Sequence, residues 1–203
     1  MPPSGSKFFL IGLLVAALEE FITQGVLKGN LLGWMVPTLI AFFPFLVIVR
    51  WIGRRLHACF GEWQAVLGYY LTAGAIGLAL EWSLLGLGPW KDWNLLQIPF
   101  QFGMFSFWVG VAFAPRLLLD TRDFVSGVRR MFRIWLWVGM AVIYGVTFAA
   151  PKEARFWAAV GSVILTFTLL NVCYYKYIQL LARQSAHLTE AGLKAGRAKD
   201  FHR

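Results

Sequence analysis

The stretch WQAVLGYYLTAGAIGLALEWSLLGLG, residues 63–88, has one charged residue, Glu81, in twenty-six positions. A helix needs about 20 predominantly apolar residues to cross the hydrocarbon core of a bilayer, which is about 30 Å thick. The stretch therefore predicts a transmembrane helix, and it places one carboxylate inside the apolar run.

The rest of the chain has the composition of a membrane protein. Of the 203 residues, 59% are hydrophobic and 14% are charged, whereas about a quarter of the residues of a soluble domain are charged. Six apolar stretches are long enough to span a membrane, at about 8–27, 31–53, 63–88, 94–117, 133–150 and 156–181. Because the links within successive pairs are short, the sequence predicts an all-α polytopic bundle of three helical hairpins over residues 1–181.

Two segments fall outside the predicted spans. In 120–132, Phe124, Val128 and Phe132 belong to an apolar face with arginines elsewhere, which predicts an amphipathic helix on the membrane surface. Residues 182–203 are basic and polar. They predict a cytoplasmic tail that either extends the sixth helix or docks on a partner.

The basic residues are distributed unevenly. Fifteen of the nineteen lysines and arginines fall on one side of the predicted bundle. Such residues accumulate on the cytoplasmic side of membrane proteins, so both termini are expected in the cytoplasm, with the chain in a bacterial inner membrane. The net charge of +9 then encodes topology and contacts with anionic membrane lipids rather than nucleic-acid binding.

Residues 12–49 and 74–111 align at an offset of 62, and the tripeptide ALE occurs at 17–19 and again at 79–81. Glycine, proline, phenylalanine and valine positions also match across this offset. Each copy is one hairpin, so the sequence predicts that helices 1–2 and 3–4 are a parallel internal repeat.

The first helix has an alternative interpretation. Lys7 followed by FFLIGLLVAA resembles a signal peptide, and cleavage after Ala17 would leave Glu19 and Glu20 at a mature N-terminus outside the membrane. Glu81 cannot belong to a signal peptide. Because the repeat aligns Glu81 with Glu19, it favours a retained first helix.

Three glutamates are predicted to lie inside the membrane, namely Glu19, Glu20 and Glu81. At 1.5 Å per residue they lie ~10–12 Å below the outer surface. An acidic residue at mid-membrane costs roughly 2.5–3.5 kcal/mol, so an ionisable residue there is a functional candidate by default. Desolvation favours the neutral acid, which can donate a proton. We expect these three acids to be catalytic, with Glu19 and Glu81 as the inward-facing pair.

Six further side chains are predicted to bind a substrate beside these acids: Gln24, Tyr70, Trp82, Gln97, Gln101 and Trp108. Gln97 and Gln101 lie one turn apart on one helix face, and Gln101 lies at the depth of the glutamates. Trp82 and Trp108 either pack in the core or form an aromatic wall that stabilises a cation. Alternatively, the acids hydrogen-bond to the glutamines or to backbone carbonyls and hold the helices together.

The segments LEEF at 18–21, EW at 81–82 and GPW at 88–90 are loosely similar to the acidic segments of membrane-bound lycopene cyclases and related small terpene cyclases. The resemblance implies acid-initiated cyclisation of an isoprenoid by paired carboxyl groups in a short polytopic chain. The proline that usually precedes the acidic pair in those families is replaced here by Ala17 and Leu18.

Metal and cofactor chemistry have no basis in the sequence. His57, His187 and His202 lie at or beyond the predicted cytoplasmic face, so neither a zinc site nor a haem is expected inside the membrane. There is no phosphate-binding glycine loop or intramembrane serine protease motif. The two cysteines, Cys59 and Cys173, do not imply a disulfide framework. We expect no metal and no cofactor.

Three classes of function remain. The first is an enzyme that performs acid–base chemistry, such as cyclisation, isomerisation or hydration, on a lipophilic, isoprenoid-like substrate. The second is a proton- or cation-coupled transporter or a transporter subunit. The third is an accessory subunit of a larger membrane complex, or a homo-oligomer, in which the acids serve only to hold helices together. The sequence places the enzyme first and leaves open whether the protein is one.

Overall fold

A computed structural model describes residues 5–21, 25, 29–30, 33–86, 88, 90, 95 and 97–200, apart from the side chains of residues 37, 84, 85 and 188–200. All regular structure within these ranges is helical, and no strand occurs in them. The predicted all-α fold is thereby confirmed.

The described part of the chain forms six helices. They are α1 Gly5–Glu20, α2 Phe43–Cys59, α3 Glu62–Leu80, α4 Gln97–Leu119, α5 Ser126–Ala149 and α6 Arg155–Asp200. Short turns extend three of them: Met35–Pro37 and a π-helical turn Thr38–Phe42 lead into α2, a π-helical turn Glu81–Leu85 follows α3, and a 3₁₀ turn Asp123–Val125 leads into α5.

Four helices in the described ranges are long and apolar enough to cross a membrane, namely Glu62–Ser83, Gln97–Leu119, Asp123–Ala149 and Arg155–His187. The prediction of an integral membrane helical protein is confirmed to that extent. As described, α1 and α2 have 16 and 17 residues. The stretches predicted at 8–27 and 31–53 include residues 22–24, 26–27 and 31–32, which lie outside the described residues.

Helix α4 lies at the centre of the fold, where it packs against α1, α3 and α6. Every residue from Ser106 to Pro115 is buried. Small residues let transmembrane helices approach closely, and Gly110 shows why they are needed here. A Cβ at Gly110 would lie 2.5 Å from Cδ1 of Phe167, which belongs to α6.

The two π-helical turns mark the ends of α2 and α3 that lead towards the loops. Pro44, the second residue of α2, has no N–H to donate to the carbonyl of Ile40, and the turn Thr38–Phe42 ends just before it. The turn that begins at Glu81 ends at Gly86, whose φ of 66° is the left-handed conformation that glycine adopts without strain. Isolated π-helical turns occur frequently at functional sites.

Some helix bounds differ from the predicted ones. Helix α2 continues past residue 53 to Cys59, because the arginines that end the apolar run are good helix formers. Residues 126–132 of the predicted surface helix 120–132 are the first turns of α5, with Val128 and Phe132 buried in the bundle. The predicted tail continues α6 to Asp200.

Candidate carboxylate site

Glu81 is the first residue of the π-helical turn that follows α3, and only 7% of it is exposed. Its Oε1 accepts a hydrogen bond of 2.9 Å from the indole Nε1 of Trp108 in α4. Its Oε2 is also buried, and no described residue makes a hydrogen bond to it. One oxygen of the carboxyl group is therefore fixed, and the other is available for a proton or a ligand.

Trp108 is held in place by the residues around it. Its ring stacks on Phe42 at a centroid distance of 4.7 Å and meets the edge of Phe45 at 4.6 Å. Gly77, one turn before Glu81, leaves the space that the indole fills, since a Cβ there would lie 2.0 Å from Cγ of Trp108. Because one face of the indole is covered by Phe42, Trp108 serves as a fixed hydrogen-bond donor rather than as an open aromatic wall.

Trp82 joins the carboxylate site to the start of α4. Its Nε1 donates a 2.8 Å hydrogen bond to Oε1 of Gln101, and Nε2 of Gln101 donates to Oε1 of Gln97 at 3.3 Å. The ring of Trp82 also packs edge-on against Trp90 at 5.2 Å. The structure thus groups the predicted site residues in two sets, Glu81 with Trp108 and Trp82 with Gln101 and Gln97, which are joined through the adjacent positions of Glu81 and Trp82.

The other two predicted acids end α1. Glu19 is buried, with 9% of it exposed, and Glu20 is only partly buried. The Glu19 carboxyl group lies within electrostatic range of the Tyr144 hydroxyl on α5. That hydroxyl donates a 3.1 Å hydrogen bond to the carbonyl oxygen of Leu18. Glu19 is therefore the more inward of the adjacent pair, and its surroundings include α5.

Tyr70 lies apart from the carboxylate site. It precedes Glu81 by eleven residues, which is about 16 Å along a helix. Its hydroxyl donates a 2.9 Å hydrogen bond to Oδ1 of Asn171, and Nδ2 of Asn171 donates to Oγ of Ser106 at 2.7 Å. Tyr70 therefore belongs to a polar cluster between α3, α4 and α6. The remaining predicted residue, Gln24, lies outside the described residues.

Asn171 and Ser106 are not among the site residues predicted from the sequence. Asn171 is a polar side chain in the middle of the apolar run 156–181. The criterion that identifies Glu81, a polar group at membrane depth, would also identify Asn171. Ser106 could not be identified in the same way, because serine is common in apolar helices, where its hydroxyl bonds to the carbonyl one turn earlier. The Ser106 hydroxyl does so with the carbonyl oxygen of Phe102.

The arrangement around Glu81 suits proton exchange. The indole N–H needs an acceptor, so Oε1 of Glu81 accepts and Oε2 is the oxygen that can carry the acidic proton. Among the described residues, no group of three or more His, Cys, Asp or Glu side chains is placed to hold a metal ion. Among the described residues, the group that can exchange a proton at this position is the Glu81 carboxyl, which lies beside the rings of Trp108 and Phe42.

The chain matches no protein-family model, no curated protein and no solved structure.

Proposed function

We propose that the protein is a small intramembrane enzyme in which Glu81 performs acid–base chemistry on a lipophilic, isoprenoid-like substrate. The observation that carries this proposal is the buried Oε2 of Glu81, which no described residue engages while Oε1 is held by Trp108. Leaving a buried polar atom unpaired costs about 1–3 kcal/mol. A functional role explains why that cost is tolerated.

The proposed step is proton transfer from Oε2 of Glu81 to a carbon–carbon double bond. The π electrons of the double bond form the new C–H bond, and a carbocation remains on the neighbouring carbon. In a cyclisation, the π electrons of a second double bond of the substrate attack this cation and form the ring bond, which leaves a new carbocation. Loss of a proton to a carboxylate then completes the cyclisation, or completes an isomerisation of the first cation, whereas attack by water completes a hydration and releases a proton. Glu19 is the proposed second carboxyl group, because it is the more buried acid at the end of α1. Such acid–base assistance contributes about 10²–10⁴-fold to a rate.

The finer arrangement belongs to the same proposal. We infer six transmembrane helices in three hairpins, with helices 1–2 and 3–4 as parallel copies and both termini in the cytoplasm of a bacterial cell. The support is that ALE at 17–19 and ALE at 79–81 each stand at the end of an α-helix, and each ends in a buried glutamate. The membrane lipids are then both the solvent and the source of the substrate.

The test compares lipid and pigment extracts from cells that express the wild type, Glu81→Gln, Glu19→Gln or Glu20→Gln at matched protein levels. Glu153→Gln is the control, because Glu153 is an exposed loop residue. We expect the wild type and Glu153→Gln to change the same isoprenoid, and Glu81→Gln to reduce the product about 100-fold or more.

Identical extracts from Glu81→Gln and the wild type, with both proteins folded in the membrane, would contradict the proposal. If in addition Glu81→Gln unfolds more readily than Glu153→Gln, the carboxyl group holds α3 against α4 and has no catalytic part. Trp108→Phe removes the hydrogen bond to Oε1 and leaves Oε2 in place. We expect it to reduce product formation less than Glu81→Gln does.

Proton-coupled transport is the second candidate, and one observation favours it. Both predicted repeats carry a buried acid at corresponding positions, Glu19 and Glu81, and repeats of this kind are a common basis for transporters. In that case Glu81→Gln abolishes proton-coupled uptake into vesicles, while the lipid and pigment extracts of all variants are the same.

A further inference from the structure

A cavity of about 800 Å³ opens at the end of the bundle opposite Glu81. Helix α3 separates the two places: Glu62 at its first turn lines the cavity, and Glu81 follows its last residue. Nineteen residues of helix correspond to about 28 Å, nearly the thickness of the hydrocarbon core. The cavity therefore lies at the level of the lipid headgroups on the side that carries most of the arginines.

Positive charge dominates the walls of this cavity. Four arginines line it, namely Arg50, Arg54, Arg116 and Arg122, together with His57. The lining contains two carboxylates, Glu62 and Asp120. These groups are close enough to act on one another, since the charge of Arg54 acts on Arg50 and the charges of Arg116 and Arg122 act on the His57 ring.

Arg122 engages both carboxylates of the lining. Its Nη1 lies 2.7 Å from Oε1 of Glu62, and its Nη2 lies 2.6 Å from Oδ2 of Asp120. The Tyr177 hydroxyl donates to Asp120 as well, at 2.7 Å. Burial acts to raise the pKa of Asp120, but the hydrogen bonds from Arg122 and Tyr177 lower that pKa below its ordinary value. Asp120 therefore stays ionised and is held by these partners.

Arg54 and Arg116 lack such compensation. Among the described residues, no carboxylate lies within ion-pair distance of Arg54 or Arg116. Arg116 is positioned by the ring of Tyr69, 5.7 Å away, and its Nη2 lies 2.6 Å from Nε2 of His57. The Nε of Arg116 is buried and finds no hydrogen-bond partner among the described residues. A guanidinium group is thus fixed in the cavity wall with a donor still unused.

We propose that this cavity binds a phosphate-bearing group, either the phosphate of an anionic lipid headgroup or a free phosphate. Converging guanidinium groups repel one another until an anion lies between them, and arginine matches phosphate oxygens with two parallel N–H donors. Basic pockets between transmembrane helices on the cytoplasmic side bind anionic headgroups. This site is independent of the chemistry at Glu81, from which the whole length of α3 separates it.

The test uses the full-length protein in phosphatidylcholine nanodiscs and measures its thermal unfolding temperature. One arm adds inorganic phosphate, and the other replaces part of the phosphatidylcholine with phosphatidylglycerol. Sodium chloride at matched ionic strength is the reference in both arms. Arg54→Gln and Arg116→Gln are compared with Arg55→Gln, a neighbouring arginine on α2 that does not line the cavity and lies over Trp51 instead.

We expect one of the two phosphate sources to raise the unfolding temperature of the wild type. Arg54→Gln and Arg116→Gln each lower the apparent affinity for that phosphate source about tenfold. Arg55→Gln leaves the affinity unchanged. The arm that responds identifies the source as lipid or free phosphate. The proposal is overturned if neither source acts beyond sodium chloride, or if Arg55→Gln weakens the effect as much as Arg54→Gln does.

Discussion

At the scale of single residues, Gly77 is the residue on which the geometry of Glu81 depends. We expect Gly77→Ala to lower the free energy of unfolding by about 1–3 kcal/mol. The new Cβ would lie 2.0 Å from Cγ and 2.2 Å from Cβ of Trp108, and atoms so close to the α4 backbone cannot move aside. The measurement is unfolding in detergent followed by circular dichroism.

Gly145→Ala is the matched control for Gly77→Ala. Gly145 lies in α5, and a Cβ there would meet no atom within 4 Å. Alanine is favoured over glycine inside helices by up to about 1 kcal/mol, so this variant is expected to be neutral or slightly stabilised. Equal effects of the two substitutions would show that α3 and α4 do not meet closely at Gly77.

His57 gives a prediction about pH. Burial lowers the pKa of His57 below 6.5, and the charges of Arg116 and Arg122 lower it further. Glu62 opposes them with an effect smaller than that of Arg116 and larger than that of Arg122. Because the folded protein then binds the proton less tightly than the unfolded chain, protonation of His57 opposes folding as the pH falls below 6.5.

Nuclear magnetic resonance of the His57 ring during a pH titration checks this direction, with His57→Gln to assign the signal. We expect Arg116→Gln to raise the pKa of His57, because it removes a neighbouring positive charge. A bound phosphate should raise that pKa as well. A wild-type pKa above 6.5 in the absence of phosphate would contradict the arrangement of charges in the cavity.

At the scale of helices, hydropathy predicts where apolar runs lie but not how each helix ends. The run 63–88 corresponds closely to α3 and the π-helical turn after it. The turn itself could not be predicted, because the spacing of apolar residues carries no information about a shift in the backbone hydrogen bonds. For α2 the apolar signal stops at the arginines, whereas the helix continues to Cys59.

The polar cluster between α3, α4 and α6 gives a prediction at this scale. We expect Asn171→Leu to destabilise the bundle by about 1–2 kcal/mol, because it leaves the Tyr70 hydroxyl without its acceptor and Ser106 without its donor. Tyr70→Phe alone should cost less, since it leaves the bond from Asn171 to Ser106 intact. The measurement is detergent unfolding of both single variants and of the double variant.

The double variant separates coupling from simple loss of packing. If Tyr70 and Asn171 interact as described, the double variant is less destabilised than the sum of the two single variants. Tyr175→Phe is the control, because 63% of Tyr175 is exposed. Strict additivity of Tyr70→Phe and Asn171→Leu would contradict the described hydrogen bond.

At the scale of the whole molecule, many residues of the two sites could be singled out from the sequence, but which of them lie close together could not be predicted. The sequence predicts that Glu81 and Trp108 both lie inside the membrane. Their hydrogen bond depends on the rotation of α3 and α4 about their axes, which hydropathy does not report. The sequence predicts that the arginines at 50, 54, 116 and 122 set the topology and contact anionic membrane lipids, but it does not predict that they line one cavity. Their convergence on one cavity requires the ends of α2 and α4 to meet, and no local pattern encodes that meeting.

The two cysteines test the orientation of the molecule. Cys59 is exposed at the end of α2 beside the arginines, and Cys173 is buried in α6. We expect a membrane-impermeant maleimide to label the protein in inverted membrane vesicles and not in intact spheroplasts, because the arginine-rich end should face the cytoplasm. Cys59→Ser should abolish the labelling in inverted vesicles. Labelling of the wild type from outside spheroplasts would reverse the inferred orientation.

The length of α6 has a consequence for anything that binds at its far end. The helix has 46 residues, or about 69 Å at 1.5 Å per residue, more than twice the ~30 Å of the hydrocarbon core. Tyr177 lines the arginine cavity, and the helix continues from there to Asp200, about 35 Å along its axis. Electrostatic attraction in physiological salt decays over about 8 Å. A partner bound at the C-terminal end of α6 would therefore be held away from the bilayer by the helix. The salt solution would screen it from the charges of the membrane surface.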